Sequence, residues 1–201
     1  MITKETTPAP PEAQDYSDVH GLLLTINIKD GMVGVSNQRA TSEGIVATMS
    51  YIVELDQSGK LEQTNWDTVL AFSDGAQSAI LIPRGIKRDV FGFLRQRYPE
   101  RAGRFHILQL FAVGAYLLLR PHLHRLEHVA IDREYFGHEG YIKGILLNYL
   151  RREEPSLPSD FISFRLVGEG SPSDKLAKSV FRGEQEPERV IILEEIVEVL
   201  K

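Results

Sequence analysis

At 201 residues the chain is long enough for one domain with a substantial core, and its 42% hydrophobic and 25% charged content excludes a wholly disordered or fibrous protein. The absence of cysteine excludes disulfides, thiolate metal sites and a cysteine nucleophile, so any metal must be held by carboxylates or histidines. The formal net charge of −5 is modest and gives no class of partner by itself.

Residues 1–18, MITKETTPAPPEAQDYSD, carry prolines and small polar residues with no apolar core behind a basic start, which predicts a disordered tail and no secretion signal. Residues 19–201 are then expected to form a single α/β domain. From Gly21 to Pro83 the pattern is that of an antiparallel β-meander: LLLTINI, a turn at Asp30-Gly31, MVGVS, then GIVATMSYIVEL ending at the polar turn DQSGK. TVLAFSDGAQSAILIP places a second Asp-Gly pair, Asp74-Gly75, between two apolar runs.

After Pro83 the period changes. Ile86, Val90, Phe91, Phe93 and Leu94 recur at helical spacing until Pro99, and a second helix is expected over about 105–119. Its apolar run, Leu108 to Leu119, is broken by Gln109 and followed by Arg120, well short of the ~20 residues that span a bilayer. A cytoplasmic protein with no membrane partner is the expectation. HVAID reads as a short buried strand, HEGYIKGILLNYLRR as a helix with a broad apolar face, and FISFRLVG as a strand. GSPSDKLAKSVFRG is a helix with a Ser-Pro start and a glycine after its last turn. In VIILEEIVEVLK the glutamates favour a final helix and the β-branched residues oppose it.

Asp132 and Glu134 stand where the apolar strand 129–131 ends and a helix is about to begin. A rigid sheet holds such acids at the crevice where open α/β sheets bind ligands, and hard oxygen donors of this kind suit Mg²⁺ or Mn²⁺. Their plain alternative is a solvated strand end, with Glu139 favoured by a helix dipole. Asp174, in the first turn of its helix, is equally explained by capping beside Ser171 and Ser173. His122, His124 and His128 have no zinc-ligand spacing, and GEGSPS matches no phosphate-binding loop.

Three strands, a helix, a strand, a helix, a strand and a helix, with an acid ending the fourth strand and another in the last helix, resemble the RNase H-like fold. IDREY is similar to the D-R-E-F/Y segment around the second acid of many DDE transposases in that superfamily, and FISFRL resembles the strand that follows it. The resemblance implies an RNase H-like mixed sheet and metal-dependent phosphodiester hydrolysis or strand transfer on DNA or RNA. It implies Mg²⁺ or Mn²⁺ held by acids of the first strand, the fourth strand and the last helix. Asp132 matches the fourth-strand ligand and Asp174 the last-helix ligand, with Glu134 and Glu139 as nearby catalytic candidates. The family's first strand carries an aspartate, whereas LLLTINI offers Asn27, and Asp30 belongs to the expected turn. An amide compensates the repulsion between two cations poorly. The alternative is therefore a catalytically inactive RNase H-like protein that binds nucleic acid or protein, including a second copy of itself.

Charge adds a separate argument. From Arg84 to Leu126 there are nine Lys or Arg and two acids, a net of +7 within an acidic chain. Arg84, Lys87, Arg88, Arg95, Arg97, Arg101 and Arg104 are the candidates to contact nucleic-acid phosphates, against the alternative of an ordinary solvated helix face.

Overall fold

The computed structural model describes residues 50–201 in full and, before them, only the backbone of three strands: β1 (Leu22–Lys29), β2 (Met32–Thr41) and β3 (Gly44–Ala47). The expected tail, 1–18, and the turn residues Asp30 and Gly31 lie outside the described residues. The chain divides into two compact units, Met1–Met49 and Ser50–Lys201. In the first, β2 pairs antiparallel with both β1 and β3, and Lys29 opposite Met32 closes the expected hairpin.

The run 44–55, expected as one strand, is divided between the units, because β4 (Tyr51–Ser58) begins after a break and belongs to the second. That unit is α/β, with a six-stranded mixed sheet in the order β8-β7-β4-β5-β6-β9 and five α-helices. β4, β5 (Thr68–Ser73) and β6 (Ser78–Ile82) form an antiparallel meander. β7 (Leu126–Asp132) runs parallel to β4, and β8 (Ile162–Arg165) parallel to β7. Parallel neighbours need crossovers, and helices supply them. α1 (Arg84–Arg97) and α2 (Gly103–Leu119) lead from β6 to β7, and α3 (Glu139–Glu153) from β7 to β8. α4 (Pro172–Phe181) follows β8, with Ser171 Oγ accepting the Asp174 N–H at 3.1 Å as its cap.

The last segment resolves the conflict between its glutamates and its β-branched residues by doing both. Arg189–Val190 forms β9 along β6, and α5 begins only at Leu193 and ends at Leu200.

Side chains alternate across the strands, so each face of the sheet has its own helices. Leu70, Phe72, Ile80 and Ile82 join α1, α2, α3 and α5 in the main core. Val69, Ala71 and Ala79 pack against Leu176, Ala177 and Val180 of α4 on the other face. α2 is buried almost throughout and lies so close to the sheet that a Cβ on Gly114 would stand 2.8 Å from Leu70 Cδ1. Among the described residues no helix is long and apolar enough to cross a membrane.

Candidate functional site

β4 sends Val53 and Leu55 into the main core and therefore turns Glu54, Asp56 and Ser58 to the α4 face. The pairing agrees: Asp56 stands opposite Ala71 and Ser58 opposite Val69, both of which lie on that face. Parallel pairing of Glu54 with Ala130 and Leu55 with Ile131 brings Asp56, two residues before the end of β4, level with Asp132 at the end of β7. Neighbouring strands run ~4.8 Å apart, so the two carboxylates leave the sheet side by side.

Asp132 Oδ1 accepts the Val167 N–H at 2.8 Å, from the segment just after β8. Asp56 Oδ1 accepts the Gln57 N–H at 2.6 Å, and the residue is only 7% exposed. Burial pushes the Asp56 carboxyl up to about 6, and the negative charges of Asp132, Asp174 and Glu134 push in the same direction. Three acids from β7, the turn after it and α4 thus bear on a fourth from β4. Burial also raises Glu134, with Lys60 opposing and Asp132 adding to the rise.

Asp56 is the residue that sequence reasoning misses. Its signal is that YIVELD, like HVAID, is an apolar run ending in an acid, but Asp56 also opens DQSGK and reads as part of a polar turn.

The other candidates are arranged differently. Asp174 accepts the Gly170 N–H at 2.7 Å and the Lys178 ammonium at 3.0 Å, so its oxygens already have partners. Glu139 faces Arg133, whose Nε and Nη2 donate to its Oε1 at 2.9 and 2.7 Å. The backbone N–H of Glu139 itself, and then Arg133, hold its carboxyl below the usual range.

For Mg²⁺ or Mn²⁺, Asp56 and Asp132 are the fitting donors: oxygen-only, adjacent and carrying excess negative charge. Among the described residues no group of three His, Asp or Glu side chains is assembled to hold a metal ion. Two adjacent carboxylates are fewer protein donors than such a group, a number compatible with Mg²⁺, which can be bound through one or two carboxylates. The histidines do not gather: His128 Nε2 is 2.7 Å from Ser163 Oγ, and His122 lies 3.6 Å from Glu188.

Arg84, Arg88, Arg95, Arg97, Arg101 and Arg104 are exposed. Lys87 is not: it is fully buried, and its ammonium donates to Lys60 O, Gln63 O and Thr68 Oγ1 at 3.0, 2.9 and 2.8 Å. A phosphate therefore cannot reach it as the sequence suggests; the carbonyls of the β4–β5 loop draw it inside instead. Burial lowers its pKa to about 8 against the pull of Asp67 and Glu62. Arg101 stacks 5.0 Å from the Phe105 ring, and Arg104 lies 6.0 Å from that of Tyr135, whose hydroxyl donates to Gln57 Oε1 beside Asp56.

Compared with protein-family models, curated proteins and solved structures, the chain matches none of them.

Proposed function

We propose that residues 50–201 form an RNase H-like domain that hydrolyses or transfers phosphodiesters of DNA or RNA, with Asp56 and Asp132 as its central carboxylate pair. The observation that carries this reading is their register on adjacent parallel strands. Further support comes from the order of elements, once β4 takes the place of the first strand. Three antiparallel strands are followed by helices, a strand, a helix, a strand and a helix. The acids Asp56, Asp132 and Asp174 then fall on the first strand, the fourth strand and the helix after the fifth.

In this scheme Asp56 and Asp132 would hold Mg²⁺ or Mn²⁺, which would supply charge stabilisation to the phosphodiester chemistry. Glu134, whose carboxyl burial pushes above the usual range, lies two residues beyond Asp132 and is placed to act as a proton carrier. Asp174 supports the site from α4 by adding negative charge near Asp56. The exposed arginines of α1 and of the turn before α2 provide contacts to the phosphate backbone.

A second reading has its own observation. Asp174 is already satisfied by Gly170 and Lys178, which favours a domain that binds nucleic acid without cutting it.

The test is Mn²⁺-dependent cleavage of labelled single-stranded, duplex and hybrid substrates. Cleavage by the wild type, lost in both Asp56→Asn and Asp132→Asn, is expected. Salt-sensitive binding without cleavage would favour the second reading.

A further inference from the structure

Beside the acids, the turn after β4 forms a second concavity. Gln57, Lys60, Gln63, Trp66, Glu134 and Phe181 lie around an open pocket of about 430 Å³. Gln57 is the neighbour of Asp56, and Glu134 lies two residues beyond Asp132. Two aromatic side chains border this pocket in contact with solvent: Trp66, the one tryptophan of the chain, is 56% exposed and Phe181 36%. Large rings left in water at one concavity form a patch that a flat partner can cover.

The loop carrying Trp66 is held by hydrogen bonds from α1. Lys87 binds it at Lys60, Gln63 and Thr68. Arg88 Nη1 donates to Thr64 O at 2.9 Å, and the Arg84 N–H donates to Asp67 Oδ1 at 2.7 Å. The first turns of α1 thus tie down the whole stretch from residue 60 to 68. Phe181 is fixed from the other side. Gly59 has φ +74°, and a Cβ there would lie 2.6 Å from Phe181 Cε2, so the ring sits directly on the turn. Ordering paid at folding is not paid again at binding, which is what a stacking platform requires. The polar groups around the rings, the Lys60 ammonium, the Gln63 amide and the Glu134 carboxyl, suit the hydrogen-bonding edge of a heterocycle attached to a phosphate chain.

We propose that Trp66 and Phe181 form a nucleobase-stacking subsite that takes one unpaired base of a nucleic-acid strand beside the Asp56–Asp132 pair. This rests on the nucleic-acid reading of that pair. A base must leave its duplex stack to lie on a protein ring, so the subsite selects single-stranded or splayed substrate over intact duplex.

The test uses the full chain without divalent metal. It is titrated with a short oligodeoxythymidine and, separately, with an abasic oligomer of equal phosphate number, while the fluorescence of Trp66 is followed. Quenching by the base-bearing strand and not by the abasic one is expected. Phe181→Ala should weaken binding of the base-bearing strand about tenfold and leave the abasic strand unaffected. Trp66→Ala, followed by polarisation of a labelled oligonucleotide, should do the same.

Equal responses to the two oligomers, no response to either, or unchanged affinity in both variants would overturn the subsite. Mn²⁺-dependent cleavage that ignores these changes would overturn the subsite and leave the metal reading standing. Base-dependent quenching without cleavage would support the subsite and remove the catalytic reading alone.

Discussion

Asp56 and Asp132 each follow directly on a residue of the registered pair Leu55 and Ile131, so the two acids stand level on neighbouring parallel strands, Asp132 at the end of β7 and Asp56 two residues before the end of β4. Such an arrangement costs stability. Burial, followed by the surrounding acids, raises the Asp56 carboxyl from its ordinary value of 3.8 to about 6.

The sign of that cost follows from proton linkage. Between pH 4 and 6 the folded protein binds more protons at Asp56 than the unfolded chain, so this residue lowers stability as pH rises through that window and the penalty is constant above it. Asp56→Asn should therefore be more stable than the wild type at pH 8, by at most roughly 3 kcal/mol, with the gap closing towards pH 4. Urea unfolding of both proteins at pH 4, 6 and 8 measures it. A gap independent of pH would remove the strained carboxylate from the account.

Lys87 acts on the loop rather than on ligands. Lys87→Met leaves two carbonyls and the Thr68 hydroxyl without their donor, and is expected to cost roughly 2 kcal/mol. Hydrogen exchange should quicken in residues 60–68 while β7 and α2 keep their protection. Unchanged exchange in the loop would show that its order comes from elsewhere.

Salt dependence separates the buried lysine from the exposed arginines. Arg95→Gln and Arg97→Gln should each lower the slope of log affinity against log salt by about one if each contacts a phosphate. Lys87→Met should leave that slope unchanged, since no phosphate reaches the residue. Equal effects from all three variants would contradict the burial of Lys87.

Gly59 supplies a steric prediction. With φ +74° and a Cβ position 2.4 Å from Asp67 O, Gly59→Ala should destabilise by more than about 1 kcal/mol and displace Phe181. Thermal unfolding, together with the fluorescence of nearby Trp66, reads both effects. An unperturbed Tm would mean that the turn relaxes without loss.

Local pattern carries much of the second unit. HVAID ends in an acid because β7 ends there, and Ser-Pro and Gly183 mark the two ends of α4. What local pattern cannot supply is which strand lies beside β7. Tyr51–Leu55 pairs with a segment far along the chain, and only that pairing gives Asp56 its meaning. LLLTINI has an equally strand-like composition, yet β1 pairs with β2 in a separate three-stranded sheet. Lys87 is hidden from sequence reasoning for a similar reason: the carbonyls that surround it belong to Lys60 and Gln63, 27 and 24 residues upstream. The pocket at Trp66 likewise joins the β4–β5 loop to the end of α4, and its parts have no local relation.

The account turns on Asp56 and Asp132 acting together, and Mn²⁺ binding followed by titration calorimetry at pH 8 tests that directly. Saturable binding by the wild type, lost in Asp56→Asn and in Asp132→Asn alike but retained in Glu139→Gln, is the predicted result. Binding that survives in Asp56→Asn, or a wild type that binds no Mn²⁺, would contradict it.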